Sequence, residues 1–236
     1  MERWWEQVWA RLRPVAPSPD GAATVLVVLA VVVAALLVPP LWRASRVLVT
    51  VVHELGHGLV GVAAGRRFTG LVLRADMSGH AVTVGPARGV GLVLSTWAGY
   101  PAPGLVGAAA LHLATAGWAA PVLGVTTAVL TGSLVRVRSG YTALVMVALT
   151  LGTGALWWWG DPLLRAQALA GVGLFLLLGA WRHVGAVLRR PGRGSDPAVL
   201  ARLTRVPAAL WVLSFAAALG AASWWALAPV RLLSGW

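Results

Sequence analysis

The segment His53-Glu54-Leu55-Gly56-His57 sets two imidazoles and a carboxylate inside a run, Val47 to Ala64, that is otherwise almost wholly apolar or small. Ionisable groups cost free energy in an apolar segment, and within a membrane they mark functional sites. On a helix, residues four apart project from one face, so His53 and His57 can bind one metal ion. Glu54 then stands where a carboxylate can take a proton from a metal-bound water, as in the HExxH pattern of zinc hydrolases.

A catalytic zinc usually keeps three protein ligands and a water. The chain has no cysteine, so the third ligand must be His, Asp or Glu, and a disulfide framework is excluded. Glu2, Glu6 and Asp20 belong to a charged terminal segment, and Asp161 reads as a turn residue before Pro162. Asp76 sits in a turn signal that favours local hydrogen bonding, and His112 reads as an internally bonded polar group in an apolar helix. That leaves Asp196, His183 and, behind them, His80. Asp196 has an equal claim to another role, because in Gly194-Ser195-Asp196-Pro197 it could cap the helix starting at Pro197.

The elements that must hold these groups belong to a membrane protein. The chain is 58% hydrophobic and 11% charged, with mean hydropathy +0.79. A soluble domain carries roughly twice that charged fraction. An α-helix needs about 20 apolar residues to cross a bilayer. The expected fold is all-α and polytopic, with about 6–7 transmembrane helices and one short β-hairpin after the HExxH helix. Residues 1–21 read as an N-terminal interfacial segment and 22–236 as a single integral-membrane unit. The spans fall near 22–38, 45–64, 89–114, 116–135, 141–159, 162–181 and 206–228, and two prolines kink the third. Residues 68–86 read as the hairpin, with strand-forming runs on either side of Asp76-Met77-Ser78-Gly79. Its polarity requires it to be buried in protein or to lie at the interface.

All nineteen basic residues are arginine, and the net charge is +12. They sit between apolar runs and not along one stripe, which favours positive-inside topology and contact with the lipid bilayer over nucleic-acid binding. Seven spans with a cytoplasmic N-terminus put the clusters at Arg66-Arg67, Arg136–Arg138 and a loop at about 182–205 on the cytoplasmic side. The Trp159-Gly160-Asp161 turn then lies outside.

The residues Val52-His53-Glu54-Leu55-Gly56-His57-Gly58-Leu59, the Gly-rich continuation to Gly65 and the hairpin resemble the site-2 protease group of intramembrane zinc metallopeptidases. Ala98-Gly99-Tyr100-Pro101 falls where that group has an Ala-Gly-Pro type motif. Ser195-Asp196-Pro197-Ala198-Val199-Leu200-Ala201, followed by Pro207 and Trp211, is similar to the peptidase M-fifty-B-like branch. This chain departs from better-studied members in having Pro103-Gly104 where they carry an Asn, and in lacking a Leu-Asp-Gly triplet.

The resemblance implies a Zn²⁺-dependent peptidase that cleaves a membrane-protein substrate within or near a bacterial-type plasma membrane. It favours Asp196 as the third ligand over His183. In this reading Glu54 is the general base. Strand edges of the hairpin, around Leu71, Val72, Leu73, Val82 and Val84, position an unwound substrate segment. Competing readings are a catalytically inactive zinc-binding scaffold or chaperone and a metal transporter. The later helices are too apolar to line the polar path that a transporter needs.

Overall fold

Val38, extended at φ −83° and ψ 115°, separates two apolar helices, because Pro39 and Pro40 follow it in the first turn of the second. The computed structural model describes residues 2–15, 22–76, 78–189 and 192–234. The first helices are α1 (Glu2–Arg11), α2 (Ala22–Leu37) and α3 (Pro39–Ala63), which carries the HExxH. Gly65 ends α3 in a left-handed conformation (φ 79°), with the Arg66 N–H donating to Gly61 O. A side chain is disfavoured at that φ, so the glycine sets the stop. Strands β1 (Arg67–Leu73) and β2 (Gly79–Val84) form an antiparallel hairpin in which Leu71 faces Ala81 and Val72 faces His80.

The remaining elements are α4 (Val90–Ala98), α5 (Pro101–Thr115), α6 (Ala119–Leu134), α7 (Gly140–Trp159), α8 (Pro162–Arg189), α9 (Asp196–Thr204) and α10 (Ala208–Ser234). Four helices are long and apolar enough to cross a membrane: Pro39–Ala63, Gly140–Trp159, Pro162–Arg189 and Ala208–Val230. Val25–Leu37 and Ala119–Leu134 are shorter apolar helices. The expected kinked third span is α4 followed by α5, broken where Pro101 can donate no backbone hydrogen bond. The second span starts at Pro39, six residues before the expected Ser45. α5 and α8 meet backbone to backbone, because a Cβ on Gly173 would stand 2.8 Å from Gly107 O. Small residues at such a crossing let membrane helices approach closely.

Two expectations are corrected. The stretch 182–205 is not a loop but the last turns of α8, a short link and α9. Val184 and Val187 fall three residues apart on one face and are buried with Leu200, Phe215 and Leu219, so the helix continues through its arginines. The N-terminal segment also does not share an end of the bundle with the arginine clusters. Arg11 donates to Trp158 O, and the Val15 N–H donates to Gly117 O, so α1 sits beside the end of α7 and the α5–α6 turn.

The cause of that second difference is the path of α3. Trp42 near its start packs on Phe175 and His183, and Arg46 donates to the hairpin tip at Asp76 O. Its last residues pack on the start of α4, where Gly91 meets Ala64. The hairpin runs along α3 and joins the α6–α7 turn through Leu71 and Val137. Both ends of α3 therefore lie in the arginine-bearing half of the bundle.

Candidate metal centre

The second and third turns back from the end of α3 present His53 and His57 to the start of α9. The two Nε2 atoms lie 3.1 Å apart, and Asp196 Oδ2 lies 3.2 Å from each. His57 Nδ1 is 2.7 Å from Ser95 O on α4. A carbonyl only accepts, so Nδ1 carries the hydrogen and Nε2 keeps its lone pair for a metal. Ser95 Oγ in turn donates to His57 O, which fixes α4 against α3.

The donor set fits a zinc ion. Three ligands at about 2.0–2.1 Å from a tetrahedral centre stand roughly 3.3–3.4 Å apart, close to the spacing found here. Asp196 Oδ2 is buried and has no hydrogen bond of acceptable geometry, and buried His53 Nδ1 likewise has no partner. Lone pairs converging on one point account for the first of these. His53, His57 and Asp196 are the only such trio among the described residues.

Asp196 is not the cap of α9. Ser195 holds the N-cap position and its hydroxyl donates to Gly192 O, while Pro197 occupies the first turn. The Asp196 carboxylate is thus left to face the histidines. Burial alone would raise its pKa, but the imidazoles of His53 and His57 more than offset that and hold it well below the usual carboxylate range. The positive end of the α9 dipole acts in the same direction.

Glu54 is buried at 5% exposure, and its Oε2 accepts from the Ala81 N–H of β2 at 2.6 Å. Gly79 permits this approach, since a Cβ there would stand 2.6 Å from Glu54 Oε1. On the other side, the Tyr100 ring meets His53 edge to face at 4.9 Å and stacks on Phe215 of α10 at 4.9 Å. Gly99 faces both imidazoles so closely that no side chain fits between them. The trio, Glu54, Gly79, Ala81 and Tyr100 line a cavity of about 630 Å³ that also takes in His80, His183 and Val82.

The structure divides the other expected site residues. His183 borders the cavity from α8 with its ring against Trp42 at 5.9 Å, outside the His-His-Asp trio, and His80 is exposed at the rim. His112 is bonded to Trp225 O at 2.8 Å, as expected of an internal group. Leu71 and Leu73 do not face the cavity: they are 0% and 2% exposed and pack with Val51, Leu55 and Met146. The outer edge of β1 is also taken, because the Leu71 N–H donates to Arg136 O and Leu71 O accepts from the Arg138 N–H. Val72 lies on the same strand, opposite His80, and Val84 is 44% exposed at the far end of β2. Of the five, Val82 borders the cavity. Ser95, Ala81 and Gly79 carry no sequence signal, because they act through backbone groups or through the lack of a side chain, and Gly99 shows only within the Ala98-Gly99-Tyr100-Pro101 motif.

No curated protein and no solved structure matches the chain. A family model, that of the Peptidase M50B-like proteins, matches residues 25–226. A match over most of the length, together with apolar spanning helices and a His-His-Asp trio beside a buried glutamate, leads to one conclusion: the chain belongs to the Peptidase M50B-like family.

Proposed function

We propose that this protein is an intramembrane zinc metalloprotease that cleaves a peptide bond within or near the membrane in a membrane-protein substrate. The observation that carries the reading is the convergence of His53, His57 and Asp196 on one point with Glu54 alongside. A zinc ion bound by the trio supplies an acidified water and an electrophile for the scissile carbonyl. Glu54 takes the proton of the attacking water and returns it to the leaving amine. Ser95 O holds the His57 ring in the tautomer that leaves Nε2 free. The cavity among α3, α4, α9 and the hairpin leaves room for water beside the trio.

The substrate docks on the outer edge of β2. That edge faces the cavity, whereas the edge of β1 is already paired. A transmembrane helix satisfies its backbone groups internally, so a segment of it must unwind before it can pair there. Ala81 N–H, the edge donor nearest the trio, is occupied by Glu54. A strand that captures this donor releases the carboxylate, which links docking to the freeing of the base.

Glu54→Gln tests the proposal. It keeps the shape and removes the base, and loss of a general base costs roughly 10²–10⁴-fold in rate. The expected result is zinc retained at wild-type stoichiometry and loss of the membrane-protein fragments that cells make with the wild-type chain. A Glu54→Gln chain that restores a deletion strain as fully as the wild type sinks the peptidase reading and leaves a zinc-binding scaffold.

A further inference from the structure

The N-terminal helix and most of the arginines lie at opposite ends of the bundle, and each end has a chemical signature. Arg3, Arg11, Arg13, Arg165 and Arg231 belong to the end where α7 stops and α8 begins. The other described arginines lie on α3, the hairpin and the turn before it, the α4 approach, the α6–α7 turn, the second half of α8, and α9 with the link before it and the turn after it. Those segments hold the catalytic cavity. The first end carries tryptophan instead. Trp118 is 43% exposed and Trp159 79% exposed.

α1 extends this tryptophan surface. Trp5 and Trp9, four residues apart and so on one helical face, are 54% and 58% exposed. The helix is tied down at its C-terminal end, because Arg11 makes two hydrogen bonds to Trp158 O, at 3.2 and 3.0 Å, and lies over the Trp158 ring. The Val15 N–H bond to Gly117 O, 2.9 Å, fixes the residues that follow. An amphipathic helix with exposed tryptophans, continuous with a ring of tryptophans at helix ends, suits the headgroup region of a bilayer.

We infer that α1 is a surface anchor lying on the non-cytoplasmic leaflet, with the N-terminus on that side and the arginine-bearing end across the membrane from it. The occupant of the tryptophan face is lipid. Arginine enrichment marks the cytoplasmic side, and Arg11 and Val15 join α1 to the end that lacks it.

The chain has no cysteine, so single cysteines report without background. Gln7→Cys in α1 and Gly192→Cys in the α8–α9 link are made separately in the full chain. A membrane-impermeant maleimide added to right-side-out vesicles labels Gln7→Cys and spares Gly192→Cys, and inverted vesicles give the reverse. A cleavable tag before Met1 reports independently of how deep residue 7 lies: protease added to right-side-out vesicles removes it. Removal from inverted vesicles alone, or labelling of both cysteines from one side, overturns the inference. For lipid contact, Trp9→Cys carrying NBD is quenched by brominated phospholipid more strongly than Gln7→Cys carrying NBD. Equal quenching overturns lipid as the occupant, and protection of the dye without quenching assigns the face to protein.

Discussion

Gly99→Ala adds one methyl group against the facing rings of His53 and His57. The new carbon would stand 2.8 Å from His53 Cε1 and closer still to His57 Cε1 and Nε2. Carbon atoms in favourable contact sit about 3.5–4.0 Å apart, so the His53 ring must retreat by ~0.7 Å and the His57 ring by more. Metal–ligand distances tolerate only about ±0.2 Å. The displacement therefore takes at least one imidazole out of the ligand set. Disturbing even a partner behind a ligand typically costs 10–100-fold in metal affinity. A loss of at least about 100-fold, or about 2.8 kcal/mol, is expected here. The fold is not expected to suffer. Gly99 has helical angles, φ −55° and ψ −54°, and alanine is favoured over glycine in a helix by about 1 kcal/mol. The assay is competition for zinc between the purified chain and a chelator of known affinity, with thermal unfolding of the metal-free protein alongside. Gly132→Ala in α6, where a Cβ meets nothing within 4 Å, is the control. Wild-type zinc affinity in Gly99→Ala would refute the view that His53 and His57 hold a metal between them.

Asp196→Ala should abolish zinc binding while His183→Ala leaves the stoichiometry unchanged, because Asp196 lies 3.2 Å from both histidines and His183 stands outside the trio; elemental analysis of both proteins reads this directly, and zinc loss only in His183→Ala reverses the ligand choice. Gly79→Ala should keep zinc yet lower turnover by about 10²-fold, the scale of a ~1 Å misplacement of a reacting group, because the added Cβ stands 2.6 Å from Glu54 Cγ and Oε1. Unchanged turnover there would mean that the Glu54 carboxylate need not rest against β2.

The side chains of the site were legible in the sequence, whereas its backbone was not. His53, Glu54 and His57 announce themselves as charged groups at fixed spacing in an apolar run. Asp196 could be reached only by elimination and resemblance, since an aspartate before a proline reads equally well as a helix cap. Three-dimensional placement separates the two roles: Ser195 takes the cap position, and the carboxylate one residue later faces the imidazoles. The supports left no such trace. Ser95 works through its carbonyl, Ala81 through its amide, and Gly79 and Gly99 through the space they leave. Leu71 and Leu73 show the opposite failure. Alternating apolar residues reveal that a strand has a buried face, but not whether substrate or the protein's own core covers it. Here Val51, Leu55 and Met146 cover it.

The same limit applies to where a helix sits in the bundle. Hydropathy measures whether a segment can cross a bilayer, and α3 meets that test by length and composition. What it does in the bundle depends on contacts that hydropathy does not record. Trp42 is 8% exposed against α8, Arg46 reaches the hairpin tip, and Ala64 meets α4. These hold α3 within one half of the bundle, along the hairpin and beneath α9. That position also assembles the candidate site. A helix spanning the full height could bring its histidines to α9 with only part of its length, leaving the rest for lipid or other helices. Lying along the hairpin, α3 packs Gly58 on Phe68, sets Glu54 on Ala81 and turns His53 and His57 toward Asp196. One helix thus aligns the trio, the carboxylate and the strand edge, and Ser95 O and the Ala81 N–H offset part of the cost of placing these polar groups in an apolar segment.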